Sequence, residues 1–278
     1  MIEALQFEFM RNAILAGLLA SIACGLIGSL IVVNRISFLA GGIAHGAYGG
    51  IGLALFLAWP LLPTTLVFSV GLALAMGWFT RRRGQRADTA IGVLWAVGMA
   101  TGVILAELRP GYSVDLLSYL FGSLLAVSQG DLVGMALLDG LILAVVLGTY
   151  RLLVGMSYDP EYTRSRGVHV EALHYLTLAL VALSVVVLLR VAGLILVLAL
   201  LTIPPSVAER FSGSLGRMMV LSCLLSAAFA LAGLALSYWL NLASGAAIIV
   251  VGAATYAASP LVRAAWRRLR GGQGEAGA

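Results

Sequence analysis

The stretch from Ser37 to Trp59, SFLAGGIAHGAYGGIGLALFLAW, is long enough to cross a bilayer, yet it carries a histidine, His45, about a third of the way along. Six of the twelve residues from Gly41 to Gly52 are glycine. Glycine weakens a helix and offers no apolar side chain to lipid, so this segment is built for something other than greasiness. On a helix, Gly41, Gly49 and Gly52 share a face with His45, at spacings of four, four and three residues. Two readings are open. Small residues at that spacing make a packing seam across which His45 hydrogen-bonds. Alternatively His45 is a cation ligand facing a central pathway, since neutral imidazole is the commonest metal-binding side chain.

Working outward, the chain has 278 residues, 61% of them hydrophobic and only 10% charged, with a mean hydropathy of +1.03. An ordinary soluble domain is about 25% charged. Apolar runs of spanning length fill nearly the whole sequence. They run over Ala13 to Val33, Ser37 to Trp59, Thr64 to Phe79, Thr89 to Leu108, Leu132 to Leu153, Ala172 to Leu189, Gly193 to Val207, Arg217 to Leu240 and Ala243 to Ser259. Leu116 to Val127 is too short to span and reads as a re-entrant helix. The expectation is an all-α polytopic membrane bundle: eight or nine transmembrane helices, one re-entrant helix and a cytoplasmic coupling helix. Residues 1–270 form a single transmembrane domain, and 271–278, GGQGEAGA, a disordered tail. Glu3 and Glu8 precede the first arginine, unlike the positive start of a cleaved signal peptide, so the first span is expected to be retained.

All 17 basic residues are arginine, in short clusters between apolar runs. That is how cytoplasmic loops of membrane proteins carry charge, and it argues against a nucleic-acid partner despite the net charge of +5. With the clusters at Arg81 to Arg86, Arg151 to Arg166, Arg210 to Arg217 and Arg267 to Arg270 all inside, nine spans alternate from an outer N-terminus to an inner C-terminus. The absence of lysine excludes a phosphate-binding P-loop and a Schiff base. If ATP drives this chain, a partner hydrolyses it. Cys24 and Cys223 lie in apolar segments and read as small core residues.

Two polar groups stand out. Between the fifth and sixth spans, GMSYDPEYTRSRGVHVEAL is the longest polar connection; Asp159-Pro160-Glu161 opens a short helix and Gly167 closes it. Within the membrane are His45, Asp139 and Arg190. Asp139 sits about seven residues into its span, where a lipid-facing carboxylate is costly, so it faces a cavity or a polar partner. Arg190 ends its span and snorkels to the interface. The HVEALH stretch, His169 to His174, sets its histidines five apart, about 140° around a helix, unlike the zinc-protease pair on one face.

Five stretches together resemble the membrane subunits of metal-ion ABC importers of the zinc and manganese type. They are RISFLAGGIAHGAYGGIGLAL, DTAIGVLWAVGMATGVIL, DLLSYLFGSLLAVSQGDL, YDPEYTRSRGV and VAGLILVLALLTIPPSVAERFSGSLGRMM, in the family's order from Arg35 to Met219. The resemblance implies an inner-membrane permease that pairs with a second copy, docks cytoplasmic ATPase subunits and receives substrate from an extracytoplasmic binding protein. It implies that Asp159, Pro160, Glu161, Arg164 and Gly167 belong to the ATPase-coupling helix, and that the chain binds no cofactor of its own and has no ATPase site. The family's second span carries Gly-Asp-x-x-Ser-His; this chain keeps His45 but has Gly41 for the aspartate and Ala44 for the serine. In the coupling segment Thr163 replaces the usual alanine. The pathway is expected to run past His45 and Gly41, with His45 the metal ligand and Asp139 a candidate for the missing carboxylate. The expected cargo is a divalent transition metal, zinc before manganese. Rivals are a permease for a metal chelate or small organic cofactor, and a stand-alone ion-coupled transporter, for which no inverted repeats are visible.

Overall fold

The computed structural model describes residues 6–83, 87–109 and 124–271. Among these the chain forms ten α-helices, a 3-10 turn at Leu124–Ala126 and no strand. The helices are α1 (Glu8–Val33), α2 (Ser37–Phe56), α3 (Leu61–Arg83), α4 (Ala87–Glu107), α5 (Gln129–Tyr158), α6 (Pro160–Ser165), α7 (Val170–Ala192), α8 (Leu194–Glu209), α9 (Leu215–Leu240) and α10 (Ser244–Gly271). Eight of them are long and apolar enough to cross a membrane. In lipid only a helix satisfies every backbone group locally, which is why the apolar runs and the helices coincide so closely.

The remaining long apolar helix, α8, has 16 residues, or about 24 Å, short of the ~30 Å hydrocarbon layer. It follows α7 directly. Gly193 has φ +77° and both ends α7 and begins α8, so the chain reverses without a loop. A left-handed backbone there needs glycine. The returning end of α8 at Glu209 then lines one cleft with Asn34 after α1, Tyr158 at the end of α5 and Ser214 before α9. At the opposite face, Gln129 donates to Glu8 at 3.0 Å and Asn12 to the Val127 carbonyl at 3.2 Å, bringing the starts of α1 and α5 together.

The core sits around α1, which packs on α9, α8, α5 and α7. A Cβ on Gly28 would lie 2.6 Å from the Leu201 carbonyl of α8, and Ser29 meets Ser222 of α9 at 3.2 Å. The second tight pair is α2 with α4, described below. Boundaries differ from the sequence reading mainly where helices leave the bilayer. The capping box of Ser128 with Asp131 starts α5, whose 30 residues carry it about 45 Å, past the hydrocarbon, to the polar loop. α10 likewise continues to Gly271, held by Arg210, whose Nη1 donates to Ser259 at 2.8 Å and whose guanidinium lies over Tyr256. The re-entrant helix expected at Leu116 to Val127 falls largely outside the described residues, as does the tail beyond Gly271. Only the backbone of Arg190 is described, in the last turn of α7.

A Cβ on Gly102 would overlap the Tyr48 carbonyl of α2 and approach the Gly49 nitrogen to 2.9 Å, whereas one on Gly71 meets nothing within 4 Å. Gly102→Leu should therefore destabilise the bundle by about 1–3 kcal/mol, as overpacking does, while Gly71→Ala should not. Thermal unfolding in detergent, compared across the two variants, checks this.

Candidate functional site on α2 and the loop after α5

α2 and α4 run side by side and parallel: Gly42 packs on Ile91, His45 on Trp95, Gly46 on Gly98 and Gly52 on Gly102. A Cβ on Gly98 would come 2.9 Å from the Gly46 Cα, and one on Gly52 would overlap Gly102. The backbones touch because both helices put glycine there. On its other side α2 meets α3, with Gly50 against the Thr65 backbone and Phe68. The packing-seam reading of Gly49 and Gly52 is thus what the geometry shows. Gly41 is different: a Cβ there meets nothing within 4 Å. Gly41 faces an opening away from the α4 contact that its neighbour Gly42 makes.

His45 stands at the opening, half-buried. Its Nδ1 lies 2.9 Å from the Gly41 carbonyl oxygen. A carbonyl only accepts, so Nδ1 carries the proton and Nε2 of the neutral ring keeps its lone pair. The ring faces Trp95, with centroids 4.0 Å apart and planes at 33°. Trp95 Nε1 in turn points to Met99 Sδ at 3.4 Å, and Phe38 stands 6.2 Å from the indole. A carbonyl that fixes the tautomer and leaves the other nitrogen unprotonated is compatible with metal binding by the imidazole. Trp95 went unremarked in the sequence, although its position offered a signal: tryptophan favours the membrane interface, and this one lies eight residues into a span.

Asp139 does not join this site. It is 7% exposed on α5, which packs on α1 and α7, and it faces Ala23 of α1, with Cys24 and Cys223 nearby. Its Oδ2 has no hydrogen-bond partner among the described residues. His45 thus stands against Trp95 of α4, and Asp139 against Ala23 of α1. No group of three or more His, Cys, Asp or Glu side chains suited to a metal occurs among the described residues.

The polar connection after α5 folds as the sequence signals. Asp159 caps α6, its Oδ1 accepting from the Tyr162 N–H at 2.9 Å, and Pro160 occupies the first turn. Thr163, the departure from alanine, is buried: its Oγ1 donates to the Asp159 carbonyl at 2.8 Å. It fits because α5 offers Gly155, where a Cβ would come 2.5 Å from that oxygen. Gly167 ends the turn at φ +81°. Thr163 anchors the element, and Glu161, Arg164, Arg166 and Gly167 face outward together with Tyr158 and Tyr162, each nearly 60% exposed. Neither tyrosine was singled out from sequence. Just beyond, Glu171 at the start of α7 forms an ion pair with Arg81 at the end of α3.

Residues 6–263 match the ABC 3 transport family. The chain belongs to that family. Its relatives match it over almost its whole length. It is 48% identical over 268 residues to an uncharacterized membrane protein of Synechocystis sp., covering 96% of this chain and 94% of that one. It is 31% identical over 247 residues to the manganese transport system membrane protein MntC of Listeria monocytogenes, covering 89% and 88%. Among solved structures, PsaBC from Streptococcus pneumoniae in complex with Fab matches with a TM-score of 0.84 at 28% identity, covering 93% of each chain. Membership of ABC 3 makes this a multi-pass subunit of a transport family.

The open space at Gly41 predicts that Gly41→Asp folds normally and sets a carboxylate one turn from His45. The purified variant should keep the parent's melting temperature and bind zinc and manganese more tightly, by about tenfold or more, as expected when a charged oxygen ligand is added. Isothermal titration in detergent measures this.

Proposed function

We propose that this chain is the membrane permease of an ABC importer for a divalent transition metal, working in the cytoplasmic membrane as a pair of identical copies. A separate ATPase subunit supplies the energy, and an extracytoplasmic binding protein delivers the ion. The single observation that carries the reading is the His45 imidazole. Its Nδ1 is tied to the Gly41 carbonyl at 2.9 Å, beside space that no side chain fills. Family membership and the manganese transport name of the Listeria relative support it.

In this reading the pathway passes the opening at Gly41. The ion meets His45 Nε2, a sparse ligation that holds it loosely and lets it go. Nitrogen ligation favours zinc over the harder manganese, which prefers carboxylate and water oxygen. The MntC resemblance is the argument for manganese, and paired uptake measurements decide between them. The chain itself does no covalent chemistry. Coupling lies at α6: Glu161, Arg164 and Gly167, with Tyr162 beside them, form the surface on which the ATPase seats, and Asp159 and Pro160 hold that surface in shape.

Two measurements test the proposal in proteoliposomes with the partner ATPase. His45→Ala should lower uptake of the transported metal at least tenfold, the loss expected for removing a metal ligand; uptake equal to the parent's makes His45 a packing residue. Gly167→Leu forces a left-handed backbone onto a residue with a Cβ, costing about 1–2 kcal/mol. It should leave the protein folded but break the link between ATP hydrolysis and uptake, and full uptake in that variant removes α6 from the coupling role.

A further inference from the structure

The α2–α4 seam does more than hold two helices together. Backbone contact at Gly46 with Gly98 and at Gly52 with Gly102 leaves no room for one helix to slide on the other, so α2 and α4 behave as one rigid unit. One turn before that contact, the same unit lays Trp95 of α4 against the face of His45 of α2 at 4.0 Å. Trp95 is itself fixed, by Nε1–H directed at Met99 Sδ on its own helix and by Phe38 at the start of α2. The imidazole is thus held by two restraints: the Gly41 carbonyl at Nδ1, and the indole with its centroid 4.0 Å from that of the imidazole. A histidine on a flexible χ1/χ2 pair otherwise samples several orientations.

We propose that Trp95 is a positioning and specificity-determining residue for the metal site: it locks the His45 ring so that Nε2 is the only ligand atom presented at the opening beside Gly41. This rests on the reading of His45 as a pathway ligand. One turn before His45 this chain has Gly41, which brings no side-chain ligand. The aromatic wall supplies the orientation without the charge. A rigid, neutral, nitrogen-first entry point discriminates toward ions that accept imidazole readily, because the ring cannot turn aside to let a hydrated, oxygen-preferring ion pass.

The test compares Trp95→Ala and Trp95→Phe with the parent and with His45→Ala, each reconstituted with the partner ATPase, measuring KM and maximal uptake for zinc and manganese separately. Trp95→Ala should raise KM for zinc about fivefold, the effect of losing one aromatic pair, with a smaller change for manganese, so that preference for zinc falls. Trp95→Phe, which keeps a ring against His45, should recover most of both. A second readout needs no transport. The chain has only three histidines, so ring-nitrogen NMR of the purified protein resolves His45; it should show one tautomer, protonated at Nδ1, in the parent and in Trp95→Phe, and exchange averaging in Trp95→Ala. Unchanged KM, metal preference and tautomer in Trp95→Ala overturn the proposal, as does a loss of maximal uptake equal for both metals with the tautomer intact. If the parent imports metal and His45→Ala matches it, the pathway reading itself falls. If His45→Ala loses uptake while both Trp95 variants match the parent, only the role of Trp95 falls.

Discussion

Backbone contact between α2 and α4 at paired glycines is the constraint on which the candidate site depends. In a bilayer, apolar side chains gain nothing by leaving lipid for one another, so two helices stay together through close packing and weak backbone contacts. Gly46, Gly49 and Gly52 on α2 and Gly98 and Gly102 on α4 bring the chains close enough for both. With the helices at that separation and parallel, Trp95 has one place to go, across the ring of His45. The same glycine-rich character ends at Gly41 facing open space. A closed seam beside an opening at Gly41 is what turns a packing motif into a candidate binding site.

The rest of the bundle answers the demand that lipid makes of polar groups. Ser21, Ser29, Ser184 and Thr177 turn their hydroxyls back to the carbonyl four residues earlier, so they add polar atoms to the core without leaving donors unpaired. Asp139 is an exception, as are Thr65, Ser69 and Ser226: it is a buried carboxyl on the α1 face of α5 with one oxygen unpartnered among the described residues. The hairpin of α7 and α8 meets the same demand differently: Gly193 reverses the chain inside the bundle with no loop to leave unsatisfied.

At the arginine-rich face, mechanical continuity replaces close packing. α5 runs unbroken out of the bilayer into Asp159, which caps α6 directly, and Thr163 on Gly155 clamps the short helix back onto α5. α7 follows within a few residues, and Glu171 at its first turn reaches Arg81 of α3. That ion pair is exposed and contributes little to stability. Its interest is positional: α3 packs on α2 through Phe68 against Gly49 and Gly50, so one chain of contacts runs from the exposed helix to the helix that carries His45.

The sequence by itself determined the elements. Hydropathy fixed the helices because lipid leaves the backbone no alternative, and Asp159, Pro160 and Gly167 marked α6, since caps and a left-handed turn are local chemistry. It also marked His45, as an imidazole where apolar residues belong. What it left open was which helix stood opposite, and that is a matter of tertiary structure. Glycine spacing shows that a helix approaches, but only the fold names α4 as the neighbour, lays Trp95 over the imidazole and leaves Gly41 unpacked. Asp139 shows the same limit from the other side. A buried carboxylate looks like a substitute for a missing one on paper, and the fold sets it against α1 because adjacency across a bundle is decided by packing among helices distant in sequence, which no local pattern encodes.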